Sequence, residues 1–85
     1  MSYKYITTGT TTTVSPRPVY SALIQVNAAL TGTITVQDGS NTIAVITNPT
    51  VGLQFRYWGL QTSLVVVTST TCDITVNFQS NTRPN

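Results

Sequence analysis

Most of the chain alternates apolar and polar residues with a period of two, as β-strands with one buried face do. The clearest stretch is residues 19–28. Its predicted inward-facing residues are Tyr20, Ala22, Ile24, Val26 and Ala28. Nowhere does the spacing i, i+3, i+4 of an amphipathic helix occur.

The same pattern recurs further along, and each recurrence predicts another strand. The predicted inward residues are Ile34 and Val36, then Val51, Leu53, Phe55 and Tyr57, and finally Ile74, Val76 and Phe78. Residues 64–67 are apolar on both faces, which predicts a central strand covered on each side. Asp38-Gly39-Ser40-Asn41 carries the Asp-Gly signal of a four-residue hairpin loop. Trp58-Gly59 is interpreted as a tight connection between strands.

Six to seven short strands with turn signals between them indicate a sandwich or a small barrel. The chain of 85 residues fits a single domain. Its 18 threonines support strand structure, because β-branched residues fit a half-buried pleated surface. We predict an all-β fold, a small antiparallel β-sandwich that is jelly-roll-like or Ig-like, with an extended N-terminal arm.

Three segments are expected. Residues 1–18 form the arm, with one edge strand near residues 7–14, because this stretch has few large apolar residues and ends in Pro16 and Pro18. Residues 19–79 form the sandwich, and residues 80–85 form a polar tail. The predicted partner-binding residues of the arm are Tyr3, Lys4, Tyr5, Ile6 and Arg17. Deleting residues 2–14 is then expected to leave the sandwich folded and to weaken attachment to a partner.

The charge and the cysteine content limit which partners the chain can bind and which internal cross-links it can form. The net charge is only +2, and the four cationic residues are dispersed, whereas a nucleic-acid interface needs a clustered basic patch. A single cysteine and the lack of histidine exclude an internal disulfide and a zinc site within one chain. Self-association or docking on a partner is therefore expected to supply additional stability to so small a core. We find neither a signal peptide nor an apolar run long enough to span a membrane, so synthesis in the cytoplasm and no membrane partner are expected.

Candidate chemistry is sparse. With no histidine, no glutamate and two aspartates, a serine or cysteine nucleophile would have no base, so we expect no enzyme and no cofactor. Asp38 and Asp73 could offer oxygens to Ca²⁺, but a hairpin turn explains Asp38-Gly39 better. Cys72 is interpreted as a small turn or core residue.

Arg56, Tyr57 and Trp58 form a candidate partner-binding site on the surface. An aromatic pair beside an arginine is typical of binding hot spots and of sugar-stacking sites. The alternative is that Trp58 is a core residue that closes one end of the sandwich. The sequence leaves both interpretations open.

The order of turns and strands resembles that of small structural proteins of tailed bacteriophages. The resembling pieces are SALIQVNAALTGTITVQDGSNTIAVITNP, VGLQF and TSLVVVTSTTCDITVNF, about two-thirds of the chain. Some proteins of this kind are capsid decoration (cement) proteins of cyanobacterial phages. The resemblance implies a β-sandwich, often trimeric, that an extended arm helps to hold over junctions between major capsid subunits.

The resulting hypothesis is a decoration protein on the capsid exterior of the virion. Its expected partners are the major capsid protein and further copies of itself in a homotrimer. Two alternatives stay open. One is a glycan-binding or structural module of a tail fibre or spike that uses Arg56, Tyr57 and Trp58. The other is a minor component of the tail or neck.

Overall fold

The computed structural model describes residues 2–80, which form two antiparallel sheets of four strands each. The strands are β1 (Ser2–Ile6), β2 (Thr11–Ser15), β3 (Val19–Val26), β4 (Thr33–Asp38), β5 (Asn41–Thr47), β6 (Gln54–Leu60), β7 (Leu64–Thr68) and β8 (Ile74–Ser80). The predicted all-β sandwich is confirmed. No helix in this range is available to cross a membrane. Of the predicted tail, residues 81–85 lie outside the described residues.

The strand order identifies the kind of sandwich. Sheet A has the order β1-β8-β3-β6, and sheet B has the order β2-β7-β4-β5. The connections β1–β2, β3–β4, β5–β6 and β7–β8 each join strands at equivalent positions of the two sheets, so these pairs stack across the core. Only the β4–β5 hairpin stays within one sheet. This is the arrangement of an eight-stranded jelly roll, and it excludes the Ig-like alternative.

The N-terminal segment differs from the predicted arm. Tyr5 of β1 pairs with Thr75 of β8, and Thr12 of β2 pairs with Val66 of β7, so residues 2–15 supply one edge strand to each sheet. The sandwich therefore begins at Ser2 rather than at residue 19 and has eight strands rather than six or seven. Edge strands need few apolar residues, because most of their side chains are exposed, and the sequence pattern of this segment is correspondingly weak.

The core lies between the two sheets and is built from small aliphatic side chains. Its fully buried members are Val19, Ile24, Val26, Ile34, Val36, Leu64, Val66, Ile74 and Val76. The inward-facing residues predicted for β4 and for the first half of β8 are confirmed. Burying a valine or isoleucine side chain contributes about 1.5–3 kcal/mol relative to leaving it exposed, so these nine side chains dominate the stability of the domain.

A bulge at the start of β3 changes which residues of this strand face the core. Val19 pairs with Ser80 and Ser21 with Gln79, so Tyr20 is an extra residue on β3. Val19 and Ala22 both point inward as a result, and Tyr20, predicted to be buried, is 59% exposed. Ala28, the last residue of the predicted inward set, follows β3 and is also exposed.

The inward set predicted before and along β6 is only partly correct. Val51 and Leu53 precede the strand and are 65% and 41% exposed. Phe55 and Tyr57 do face the core, as Phe78 does, but each is only half-buried. These aromatic residues lie at the margin of the core rather than at its centre.

Strand β7 occupies a central position in sheet B, as predicted, but only one of its faces is covered. Leu64 and Val66 are completely buried between the sheets. Val65 and Val67 point to the outer face of sheet B and are half-buried, with no further layer above them among the described residues. The apolar run therefore does not mark a strand covered on both sides.

Two predicted turns take different forms. The β4–β5 hairpin has a two-residue connection, Gly39-Ser40, in which Gly39 has φ +63°, a conformation that glycine adopts without strain. Trp58-Gly59 is not a connection but lies inside β6. Gly59, with φ +67°, interrupts the regular twist of that strand.

Candidate functional site

The residues predicted to bind a partner from the N-terminal segment do not share one environment. Tyr3 and Tyr5 point to the outer face of sheet A and are 71% and 55% exposed. Lys4 and Ile6 point to the other side, in register with Val76 and Ile74. Ile6 is buried in the core, so its predicted role as a partner-binding anchor is wrong. Arg17 is exposed in the β2–β3 connection.

The second predicted group is also divided by the pleat of its strand. Arg56 and Trp58 point outward, in register with Leu23 and Ser21, whereas Tyr57 points toward the core. Trp58 is 64% exposed, so the interpretation of this residue as core is wrong. Partial burial raises the pKa of Tyr57.

Both groups contribute to the outer face of sheet A, but at opposite edges. Tyr3 is in register with Asn77, Asn77 with Leu23, and Leu23 with Arg56. Three strand spacings separate Tyr3 from Arg56, a distance of roughly 14 Å. The outer face of sheet A therefore presents aromatic side chains at two opposite edges, with Leu23 and several amide and hydroxyl side chains between them.

A hydrogen-bonded network occupies one end of this face. The Asn27 amide donates to Asp73 Oδ1 at 3.2 Å and to Thr75 Oγ1 at 3.0 Å. The neighbouring Asp73 carboxylate raises the pKa of the Tyr5 hydroxyl, because it favours the protonated form of that group. The Asp73 carboxylate is thus used within the fold and holds Asn27, which follows β3, to the β7–β8 connection.

The outer face of sheet B has a different character. Its side chains, read across the four strands, are Thr11, Thr13, Val65, Val67, Thr33, Thr35, Gln37, Thr42, Val45 and Thr47. None of them is charged, and most are β-branched. The sequence pattern did not predict this surface. The signal was present as alternating threonines in residues 11–13 and 33–35, but only the strand order brings them onto one face.

Asp38, the last residue of β4, belongs to the outer face of neither sheet. Its Oδ2 accepts the backbone N–H of Gln61 at 2.8 Å, and its Oδ1 accepts those of Thr62 at 2.8 Å and Ser63 at 3.3 Å. These backbone donors, that of Gln61 first, lower the pKa of Asp38. The carboxylate orders the β6–β7 connection, and no group of three His, Cys, Asp or Glu residues within residues 2–80 could hold a metal ion.

Acid is expected to weaken this connection. A carboxyl whose pKa is lowered in the folded state stabilises the fold above its ordinary pKa, and this contribution is lost as the pH falls through the lowered value. The melting temperature of the wild type should therefore fall more steeply between about pH 5 and pH 2 than that of Asp38→Asn. For Ser40→Ala, in the same hairpin, the melting temperature should fall with pH as steeply as it does for the wild type. Equal slopes for Asp38→Asn and the wild type would contradict this role of the carboxylate.

Thr68 and Cys72 hold the β1–β2 connection against the end of β7. The Thr68 hydroxyl donates to the Thr8 carbonyl at 2.7 Å and accepts the Thr10 N–H at 3.1 Å. The Cys72 thiol is buried and lies 3.5 Å from the Ile6 carbonyl, and burial raises the pKa of the thiol. A thiol in this state is a packing group rather than a nucleophile.

The protein was compared with known families, curated proteins and solved structures, and none of the three comparisons gave a match. What this protein binds is therefore inferred from its own surfaces, chiefly the outer faces of the two sheets.

Proposed function

We propose that this protein is a capsid decoration protein of a tailed bacteriophage and that it docks on the capsid exterior through the outer face of sheet B. The observation that carries the proposal is the composition of that face: four adjacent strands present threonines and valines and no charged side chain. The partner would be the major capsid protein.

The physical chemistry of such a face suits a wide, static contact. Removing uncharged threonines and valines from water avoids the large desolvation cost of ions, and each Å² of apolar area buried contributes about 25 cal/mol. Without charge there is little electrostatic steering, so association would be slow for a single copy. A shell that offers many identical sites compensates for that, because neighbouring copies can reinforce one another.

The fold is compatible with this role by analogy alone. Eight-stranded jelly rolls occur in viral capsid proteins and in lectin domains, among others. A fold of this kind hosts many functions, so the surface and not the topology has to distinguish them.

A glycan-binding module of a tail fibre or spike is the second candidate. Trp58 supports it, because the ring is 64% exposed on the outer face of sheet A with Arg56 two residues away on the same face. Exposed aromatic rings stack on the apolar faces of sugars. If this candidate is correct, a glycan array should show saturable binding that Trp58→Ala abolishes, whereas a decoration protein should bind no glycan.

A substitution on each face tests the proposal. Thr35→Lys places a charge at the centre of the outer face of sheet B, and Asn77→Lys places one at an equivalent half-buried position of sheet A. Binding to undecorated capsids, measured by co-sedimentation, should weaken at least about tenfold for Thr35→Lys, because burying an unpaired charge costs more than about 1.4 kcal/mol. Asn77→Lys should bind as the wild type does.

The opposite ranking would contradict the proposal. If Asn77→Lys lost binding and Thr35→Lys kept it, sheet A would be the docking face. Circular dichroism of both variants must first show that they are folded. The outward orientation of both side chains favours folding.

The number of copies of this chain per phage particle distinguishes a decoration protein from a minor component of the tail or neck. A decoration protein should be present in proportion to the major capsid protein, and a tail or neck component in only a few copies.

A further inference from the structure

The four edge strands of the sandwich differ in how well they resist pairing with another strand. Edge strands expose unpaired N–H and C=O groups, and proteins protect them with inward-pointing charges, bulges or irregular backbone. On β1, Lys4 points to the core side of the edge, and β2 has a bulge between Thr13 and Ser15. On β6, Arg56 is exposed and Gly59 breaks the regular backbone.

Strand β5 has little such protection. Its sequence from Asn41 to Thr47 contains no charged residue and no proline. The one irregularity lies at Ile43, between the registered pairs of the hairpin, and residues 44–47 pair regularly with β4. Ile43 and Val45 are 43% and 57% exposed. No other strand of residues 2–80 pairs with this edge of β5, which is uncharged and partly apolar.

The side of the sandwich formed by β5 and β6 is also where the core is incompletely covered. The core-facing residues Ala44 and Ile46 of β5, and Phe55 and Tyr57 of β6, are only half-buried. On the opposite side, the corresponding Ile6 of β1 is 4% exposed, and Val14 of β2 is 8% exposed. A partner on the β5–β6 side would complete the burial of these four side chains.

We propose that this partner is a second copy of the chain, joined by antiparallel pairing of β5 with β5 of the other copy about a two-fold axis. Antiparallel pairing of identical strands is self-complementary, so one surface serves both copies. The absence of charge on β5 removes the like-charge repulsion that self-pairing would otherwise meet.

The size of this side is sufficient for a weak, reversible dimer. Seven residues of β-strand span about 24 Å, and two sheets about 10 Å apart with their outer side chains span roughly 20 Å, which gives about 500 Å² per copy. This is a tenth of the 4901 Å² that the chain exposes. The total of about 1,000 Å² reaches the lower limit for a biological interface, so a reversible, concentration-dependent dimer is expected.

The inference does not depend on docking to a capsid. It replaces the expected trimer with a dimer, because strand pairing about a two-fold axis closes after two copies. It leaves the outer face of sheet B free and extends that face from four strands to eight. A protein that proved monomeric would overturn the dimer and leave the proposed capsid contact standing.

A matched pair of edge substitutions tests the dimer. Val45→Lys adds a charge to β5, and Tyr3→Lys adds one to β1 on the opposite side of the molecule, at a residue that is 71% exposed. Analytical ultracentrifugation over a concentration series should show a monomer–dimer equilibrium for the wild type and for Tyr3→Lys. The dissociation constant of Val45→Lys should rise at least tenfold. A monomeric or trimeric wild type, or an unchanged constant for Val45→Lys, would overturn the proposal.

Hydrogen exchange of the wild type provides a second readout that needs no variant. Along β5, backbone amides that point away from β4 have no strand partner within residues 2–80 and should exchange quickly in dilute solution. At concentrations that favour the dimer these amides should become protected, while the free edge of β1 should not change. Dimer formation without protection of β5 would show that another surface pairs, and the proposal would be wrong.

Discussion

Removal of residues 2–15 is expected to unfold the domain. The sequence pattern led to the opposite expectation, because it predicted that this segment is an arm. In the structure the segment supplies both β1 and β2, and its loss would expose one side of β8 and of β7. Ile74, Val76 and Val66, which are now completely buried, would then face solvent. The loss also removes the hydrogen bonds that Thr68 makes to Thr8 and Thr10.

Circular dichroism and thermal melting of the truncated chain measure this effect. The truncated chain should show no cooperative transition. A full-length control with Tyr3→Ala and Lys4→Ala, both exposed positions of β1, should melt close to the wild type. A truncated chain that melts cooperatively near the wild-type temperature would show that residues 2–15 are an appendage to an independently stable core.

Truncation of Ile34 is expected to have the second-largest effect. Ile34 lies in β4, is completely buried, and is in register with Thr68 on one side and Ile46 on the other. Ile34→Ala should lower the free energy of unfolding by about 2–5 kcal/mol, since it removes buried methyl groups and leaves a cavity. That loss is a large part of the stability of a small domain.

Ile43 provides a matched control on the neighbouring strand. It is the same residue type but is 43% exposed, so Ile43→Ala should cost less than about 1 kcal/mol. Urea denaturation of the two variants gives both values. A larger loss for Ile43→Ala than for Ile34→Ala would mean that the assignment of inward and outward positions in sheet B is reversed.

The strands in the middle of each sheet could be predicted from the sequence. In β4 and β8 the apolar residues recur at every second position, because one face of each strand packs against the other sheet while the other face is outward. Ile34, Val36, Ile74 and Val76 follow this rule directly. The predicted core is most accurate where both neighbours of a strand are present.

Edges and irregularities could not be predicted in the same way. Strand β1 buries only Ile6, so its pattern carries almost no periodic signal. The bulge at Tyr20 shifts the phase of β3 without any change of residue class that marks it. Gly59 lies inside a strand with a positive φ, where a glycine beside Trp58 had suggested a turn.

The candidate surfaces depend on which strands are neighbours in each sheet. The alternation of apolar and polar residues along the chain does not contain that information. A period of two separates the faces of one strand, but it does not say which strands are neighbours. Thr13, Val65 and Gln37 are far apart in sequence and meet on one face only because β2, β7 and β4 are adjacent. Trp58 and Tyr57 are consecutive and lie on opposite faces of sheet A.

Cryo-electron microscopy of purified phage particles from cells that produce this chain tests the proposed function most directly. The proposal predicts jelly rolls on the outer surface of the shell, with the outer face of sheet B against the major capsid protein and Trp58 directed away from it. Density that placed sheet A against the shell would contradict the docking face. Particles that carried the chain only at the tail or neck, or lacked it, would contradict the decoration function itself.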